Sequence, residues 1–84
     1  RVSKRGEPVD LTFREYELLM YLARGKDRVV TRNQILQSVW GDDYEGTERT
    51  VDNFILRLRQ KIEDEPDSPR HIQTVRGFGY RFVP

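Results

Sequence analysis

No cysteine occurs anywhere in the 84 residues, so neither a disulfide framework nor a thiolate metal site is available. His71 is the only histidine, and no serine sits in a nucleophile motif, so a catalytic triad and a zinc site both lack parts. Long apolar runs are missing too. None approaches the length that spans a bilayer, and the start, "RVSKRGEPVDLTF", has no apolar core of a signal peptide. These absences fit a cytoplasmic protein with no membrane partner. Asp42, Asp43 and Glu45 cluster, but without EF-hand spacing, so no metal is expected. "GFG" (77–79) is too short for a dinucleotide fingerprint and lies between strands, so no cofactor is expected either. Catalysis is a poor reading.

What remains is one small, highly charged domain over 1–84. Hydrophobic residues make up 36% and charged residues 35%, a balance that supports a modest core and not a disordered chain. The net charge of +1 conceals segregation. Residues 42–48 carry Asp42, Asp43, Glu45 and Glu48 with no base. Residues 49–61 carry Arg49, Arg57, Arg59 and Lys61 against Asp52 alone. Acids return over 63–67, and 70–84 holds Arg70, Arg76 and Arg81 with no acid. A basic helix and a basic C-terminal segment can share one positive face, although a mixed solvated surface is the commoner outcome of such runs.

Start and stop signals organise the chain. A turn near Lys4–Glu7, with Gly6 free to take positive φ, suits a short N-terminal hairpin or strand. Thr12 and Glu15 have capping-box spacing, with Leu11 placed to staple onto Tyr16. Tyr16, Leu19, Leu22 and Ala23 form the expected apolar face of this first helix, and Gly25 ends it. Thr31 and Gln34 repeat the capping box, and Val30 and Ile35 the staple. Ile35, Leu36, Val39 and Trp40 supply the second apolar face, and Gly41 the stop. After the acidic loop "GDDYEGT", a third helix runs from about Thr47 or Thr50 to about Asp64, where Pro66 and Pro69 forbid continuation. "HIQTVRGFGYRFV" reads as a hairpin around Gly77-Phe78-Gly79. The expected order is hairpin or strand, three helices, hairpin: an α+β fold.

The third helix has two faces. At about 100° per residue, Phe54, Ile55, Leu58 and Ile62 fall beside Val51 and form the core side. Arg49, Asn53, Leu56, Arg57 and Gln60 lie opposite. Arg pairs bidentately with guanine, Asn or Gln with adenine, and an aliphatic side chain touches the thymine methyl. Arg59 and Lys61 flank this face where phosphates would pass. A merely solvated helix would mix Glu among these bases to gain i,i+4 pairs; none lies between Asn53 and Ile62. Asp52 is lateral and reads as structural, favourable near the helix N-terminus. Arg76, just before the hairpin tip, suits a narrow minor groove.

"LTFREYELLMYL", "VVTRNQILQSVWG", "RTVDNFILRLRQKIE" and "IQTVRGFGYRF" together resemble the winged-helix DNA-binding domain of OmpR/PhoB-type response regulators. The resemblance covers nearly the whole chain. It implies a winged helix-turn-helix that binds double-stranded DNA sequence-specifically in transcription regulation, as the effector of a two-component system. The recognition helix, about 48–64, would enter the major groove and the wing, about 71–83, the minor groove. By position it makes Arg49, Asn53, Arg57 and Arg59 contacts along the helix. Trp40, Thr50, Thr74 and Tyr80 become phosphate contacts and Arg76 the wing arginine, while Leu56 and Gln60 rest on the helical wheel. The 41–48 loop, with Asp42, Asp43, Tyr44 and Glu45, becomes the RNA polymerase contact. A tandem dimer on direct repeats and a receiver domain outside this chain complete the expectation. Phe54 departs from the family pattern, which often has His there. The competing reading is a winged helix that binds protein, which would call for a larger apolar patch on the outer face of the third helix. RNA binding would call for exposed aromatic platforms, for which Phe78 is the one clear candidate.

Overall fold

Two residues in left-handed conformation, Arg5 (φ 54°) and Gly6 (φ 81°), open the chain as a tight hairpin. Their mirror-image turn matches the twist of the short strands β1 (Ser3–Lys4) and β2 (Glu7–Pro8). The computed structural model describes residues 3–42 and 44–84. Thr12 then caps α1 (Phe13–Arg24) with both halves of the capping box in place. Its Oγ1 accepts from the Glu15 N–H, and Glu15 Oε1 accepts from the Thr12 N–H. Thr31 and Gln34 make the same reciprocal pair.

Between these caps the structure adds a strand that helical periodicity does not announce. β3 (Val29–Thr31) pairs antiparallel with β5 (Gly79–Phe82), which also pairs with β4 (Ile72–Val75). The C-terminal hairpin is therefore two strands of a three-stranded sheet ordered β3-β5-β4. Gly79 explains part of the "GFG" motif, since a side chain there would collide with the Val30 carbonyl of β3. Gly77 (φ 83°) supplies the positive φ of the hairpin turn.

The second helix begins as α2 (Arg32–Ile35) and continues as a π-helical segment, Leu36–Trp40. The Gly41 N–H reaches back five residues to the Leu36 carbonyl. α3 (Glu48–Ile62) has Thr47 as its N-cap and ends two residues before the expected Asp64. Glu63 leaves the helix in extended conformation (ψ 142°).

Leu18, Leu22, Ile35, Val51, Ile55, Leu58 and Ile72 fill the core, joined by Leu19, Val39 and Tyr80. The first helix is rotated from the expected face: Leu18 is fully buried, while Tyr16 is 40% exposed. Glu15 accounts for the shift, because its carboxylate turns inward on the core edge and meets Lys61 Nζ at 2.6 Å. Burial pushes the Glu15 pKa up, but Lys61 and the Thr12 N–H outweigh it, so the group is held below its ordinary value. The α3 stripe falls as the wheel places it, with Val51, Ile55 and Leu58 buried and Phe54 and Ile62 packed against them.

Candidate nucleic-acid interface

The core stripe of α3 fixes what its other side presents. Arg49, Asn53, Leu56, Arg57 and Gln60 are all exposed along one ridge, with Leu56 57% open to solvent. Glu48 begins the helix, and past it the acid nearest this ridge, Asp52, is turned away and engaged elsewhere. The ridge offers guanidinium, amide and aliphatic groups together, the donor set that reads base edges.

The wing stands beside this ridge. The Phe78 N–H closes the turn on the Val75 carbonyl (2.9 Å), leaving Arg76 exposed at its tip and Phe78 69% exposed. A cleft of about 470 Å³ separates the wing from the starts of α2 and α3, lined by residues including Thr31, Arg32, Glu48, Thr74, Arg76 and Phe78. Arg32 was absent from the expected contacts. Its only sequence signal is a base at the first helical position after the Thr31 cap.

Two side-chain links tie wing to helix. Asp52 Oδ1 accepts from the Tyr80 hydroxyl at 2.6 Å and from Arg32 Nε at 3.0 Å, joining α3, β5 and α2 at one oxygen. Farther along, the Arg59 guanidinium donates to the Ile72 carbonyl and to Thr74 Oγ1, both at 2.8 Å from Nη2, and lies 5.7 Å from the Tyr80 ring. Three expected phosphate contacts have protein partners here. Tyr80 is a core residue, 6% exposed, whose only polar atom serves Asp52. Arg59 donates to Thr74, whose hydroxyl stays on the exposed side of its strand with its own proton still to donate. Asp52 is structural, as its lateral position suggests, but through partners distant in sequence and not through the helix N-terminus.

Burial, then the bond to Asp52 and its negative charge, pushes the Tyr80 phenol up to about 12. Because the folded-state value exceeds the unfolded one of about 10, this contribution to stability is complete below pH about 10. It is lost as pH rises through about 12. Absorbance titration of the phenolates should show a late-ionising group that disappears in Tyr80→Phe. Superimposable titrations of the two proteins would contradict the link.

Trp40 ends the π-helical segment half-buried. Its ring meets the Phe54 ring edge-on at 5.0 Å, and the Arg14 guanidinium lies 5.5 Å from its centroid. Thr50 is half-buried, with its hydroxyl 3.4 Å from that of Tyr44. In the acidic loop Asp42, Tyr44 and Glu45 are exposed, and Tyr44 leans toward Trp40 at 6.2 Å. Asp43 lies outside the described residues. Among the described residues no helix is long and apolar enough to cross a membrane.

This architecture has relatives. Residues 6–82 match the family described as "Transcriptional regulatory protein, C terminal". The response regulator DrrB of Thermotoga maritima, an OmpR/PhoB homolog, superposes with a TM-score of 0.88 at 39% identity, over 95% of this chain and 36% of DrrB. The chain thus spans little more than a third of that protein. The DNA-binding domain of Klebsiella pneumoniae RstA, solved in complex with the RstA box, gives a TM-score of 0.83 at 37% identity, covering 93% of this chain and 77% of that one. The DNA-binding domain of Escherichia coli CadC gives 0.82 at 34% identity, with 98% and 78% covered. With the winged-helix architecture in common, the chain belongs to the C-terminal domain family of transcriptional regulatory proteins of the OmpR/PhoB type.

Proposed function

We propose that residues 1–84 form the sequence-specific, double-stranded DNA-binding effector domain of a two-component response regulator, acting by binding and not by catalysis. The observation that carries this reading is the α3 ridge, where Arg49, Asn53, Leu56, Arg57 and Gln60 are exposed together beside the Arg76 wing tip. A relative with the same architecture, RstA, was solved on its DNA box. In this reading α3 lies in the major groove. Arg57 and Asn53 contact base edges, Leu56 and Gln60 add groove contacts, and Arg49 fixes register on phosphate. Arg76 enters the adjacent minor groove. The Trp40 indole N–H and the Thr50 and Thr74 hydroxyls face passing phosphates. Tyr80 and Arg59 serve the interface by holding the wing to α3.

One domain of this size makes few contacts, and a second copy alongside raises affinity without any new protein–base contact. Tandem binding to direct repeats follows, with a receiver domain elsewhere in the full protein controlling it in the cytoplasm. The acidic loop at 41–48, where Asp42, Tyr44 and Glu45 are exposed and Asp43 adds a further acid, is repelled by a polyanion and suits RNA polymerase.

Amide chemical-shift mapping with duplex DNA tests the reading. Shifts should concentrate on the α3 ridge, residues 75–79 and Trp40. Shifts confined to the apolar α1 surface around Phe13 (75% exposed) and Tyr16, or none at all, would favour the protein-docking alternative.

A further inference from the structure

Two rings and two guanidinium groups form a continuous row of contacts across the interface. Arg14 lies 5.5 Å from the Trp40 ring centroid, Trp40 meets Phe54 at 5.0 Å and 80°, and Arg57 lies 5.0 Å from the Phe54 centroid. The Phe54 ring is partly buried between Trp40, at the end of the π-helical segment, and the core beneath it. Arg57, one turn farther along α3, is exposed, and among the described residues no carboxylate forms an ion pair with it.

We infer that Phe54 is a specificity-determining positioning residue: its ring is a shelf that holds the Arg57 guanidinium in orientation for base reading. The inference rests on the proposed base contact of Arg57 and adds the residue that aims it. A guanidinium stacked on a ring uses its π-face, while its five N–H donors radiate in the plane and stay free for a guanine edge. An Arg on a flexible stem without such a shelf divides its time between the groove and the nearest phosphates. Those phosphates look the same in every sequence, so losing the shelf lowers discrimination and leaves general affinity for DNA in place. Histidine, which the family resemblance often has at this position, offers a smaller ring with its own hydrogen-bonding demands. Phenylalanine offers only a face. In this chain, position 54 trades a polar contact for orientation of its neighbour.

The test compares dissociation constants for a selected duplex site, the same site altered at the base pair where Arg57→Ala relaxes preference, and scrambled duplex. Phe54→Leu should lower discrimination at that base pair about two- to fivefold, the scale of an exposed cation–π contact. Affinity for scrambled DNA should change less than about twofold, since no phosphate contact is removed. Phe54→Tyr, which keeps the ring, should retain discrimination. In an Arg57→Ala background Phe54→Leu should have no further effect on that base pair. Phe54→Met is a second ring-free variant should the leucine substitution disturb folding. Unchanged discrimination in the ring-free variants overturns the inference while leaving Arg57 as a base contact. An equal loss in the Arg57→Ala background also overturns it, because Phe54 would then act through another group. If Arg57→Ala itself relaxes no base preference, the reading of Arg57 fails first and the shelf has nothing to aim.

Discussion

Arg57→Ala should weaken binding to the cognate site by about 1–3 kcal/mol, roughly five- to a hundred-and-fiftyfold, and relax preference at one base pair. The expectation follows from chemistry and placement together. Arg57 stands on the exposed ridge of α3, opposite Val51, Ile55 and Leu58, which are locked in the core and fix the helix's rotation. A bidentate guanidinium–guanine pair carries that much discrimination, whereas a phosphate contact carries none. Competition binding with single-base variants of the site checks it. Equal losses on cognate and scrambled DNA would reduce Arg57 to a charge.

Glu63→Ala should destabilise the domain by about 3–5 kcal/mol, a large part of the 5–15 kcal/mol typical of a folded protein. Glu63 is 1% exposed, yet its carboxylate has no solvent to rely on and does not need it. Oε1 accepts from the Arg70 N–H at 3.0 Å, and Oε2 from the His71 and Ile72 N–H groups at 3.0 and 2.7 Å. Truncation leaves these backbone donors facing a void, and each unsatisfied donor costs about 1–3 kcal/mol. The location gives the loss a functional side. Glu63 ends α3, and Ile72 begins β4, so this carboxylate sets where the wing departs from the recognition helix. Urea unfolding with an unchanged slope and a much lower midpoint is the expected result. A loss under about 1 kcal/mol would mean water or a rearranged loop replaces the carboxylate.

Much of this was legible from local rules. The capping boxes at Thr12–Glu15 and Thr31–Gln34 are specified by residues three apart and formed as read. The α3 ridge was legible because its apolar stripe is narrow and regular. Where partners are distant in sequence, local rules failed. Helical spacing puts Tyr16 on the inward face, but Glu15 takes the buried place because Lys61, 46 positions away, satisfies it. β3 is three residues long and shares Thr31 with a helix cap, so no period could reveal it. Its trace was the second glycine of "GFG", whose need is visible only once Val30 lies against it. Asp52 takes its expected role from the helical wheel, and Tyr80 and Arg59 theirs from position in the family resemblance, none of which shows a partner distant in sequence. Asp52 and Tyr80 meet across 28 positions and Arg59 and Thr74 across 15, bonds that tie the wing to α3.

Selection of bound sequences from a random duplex-DNA pool, at low and at near-physiological salt, separates base reading from phosphate binding. Phosphate contacts alone fade steeply as salt rises, while base reading leaves a preferred sequence behind. Base reading by the α3 ridge predicts an enriched motif that survives the higher salt, most clearly as a direct repeat. Binding seen only at low salt, with no motif enriched, would contradict it and leave the α3 ridge a basic surface without a code.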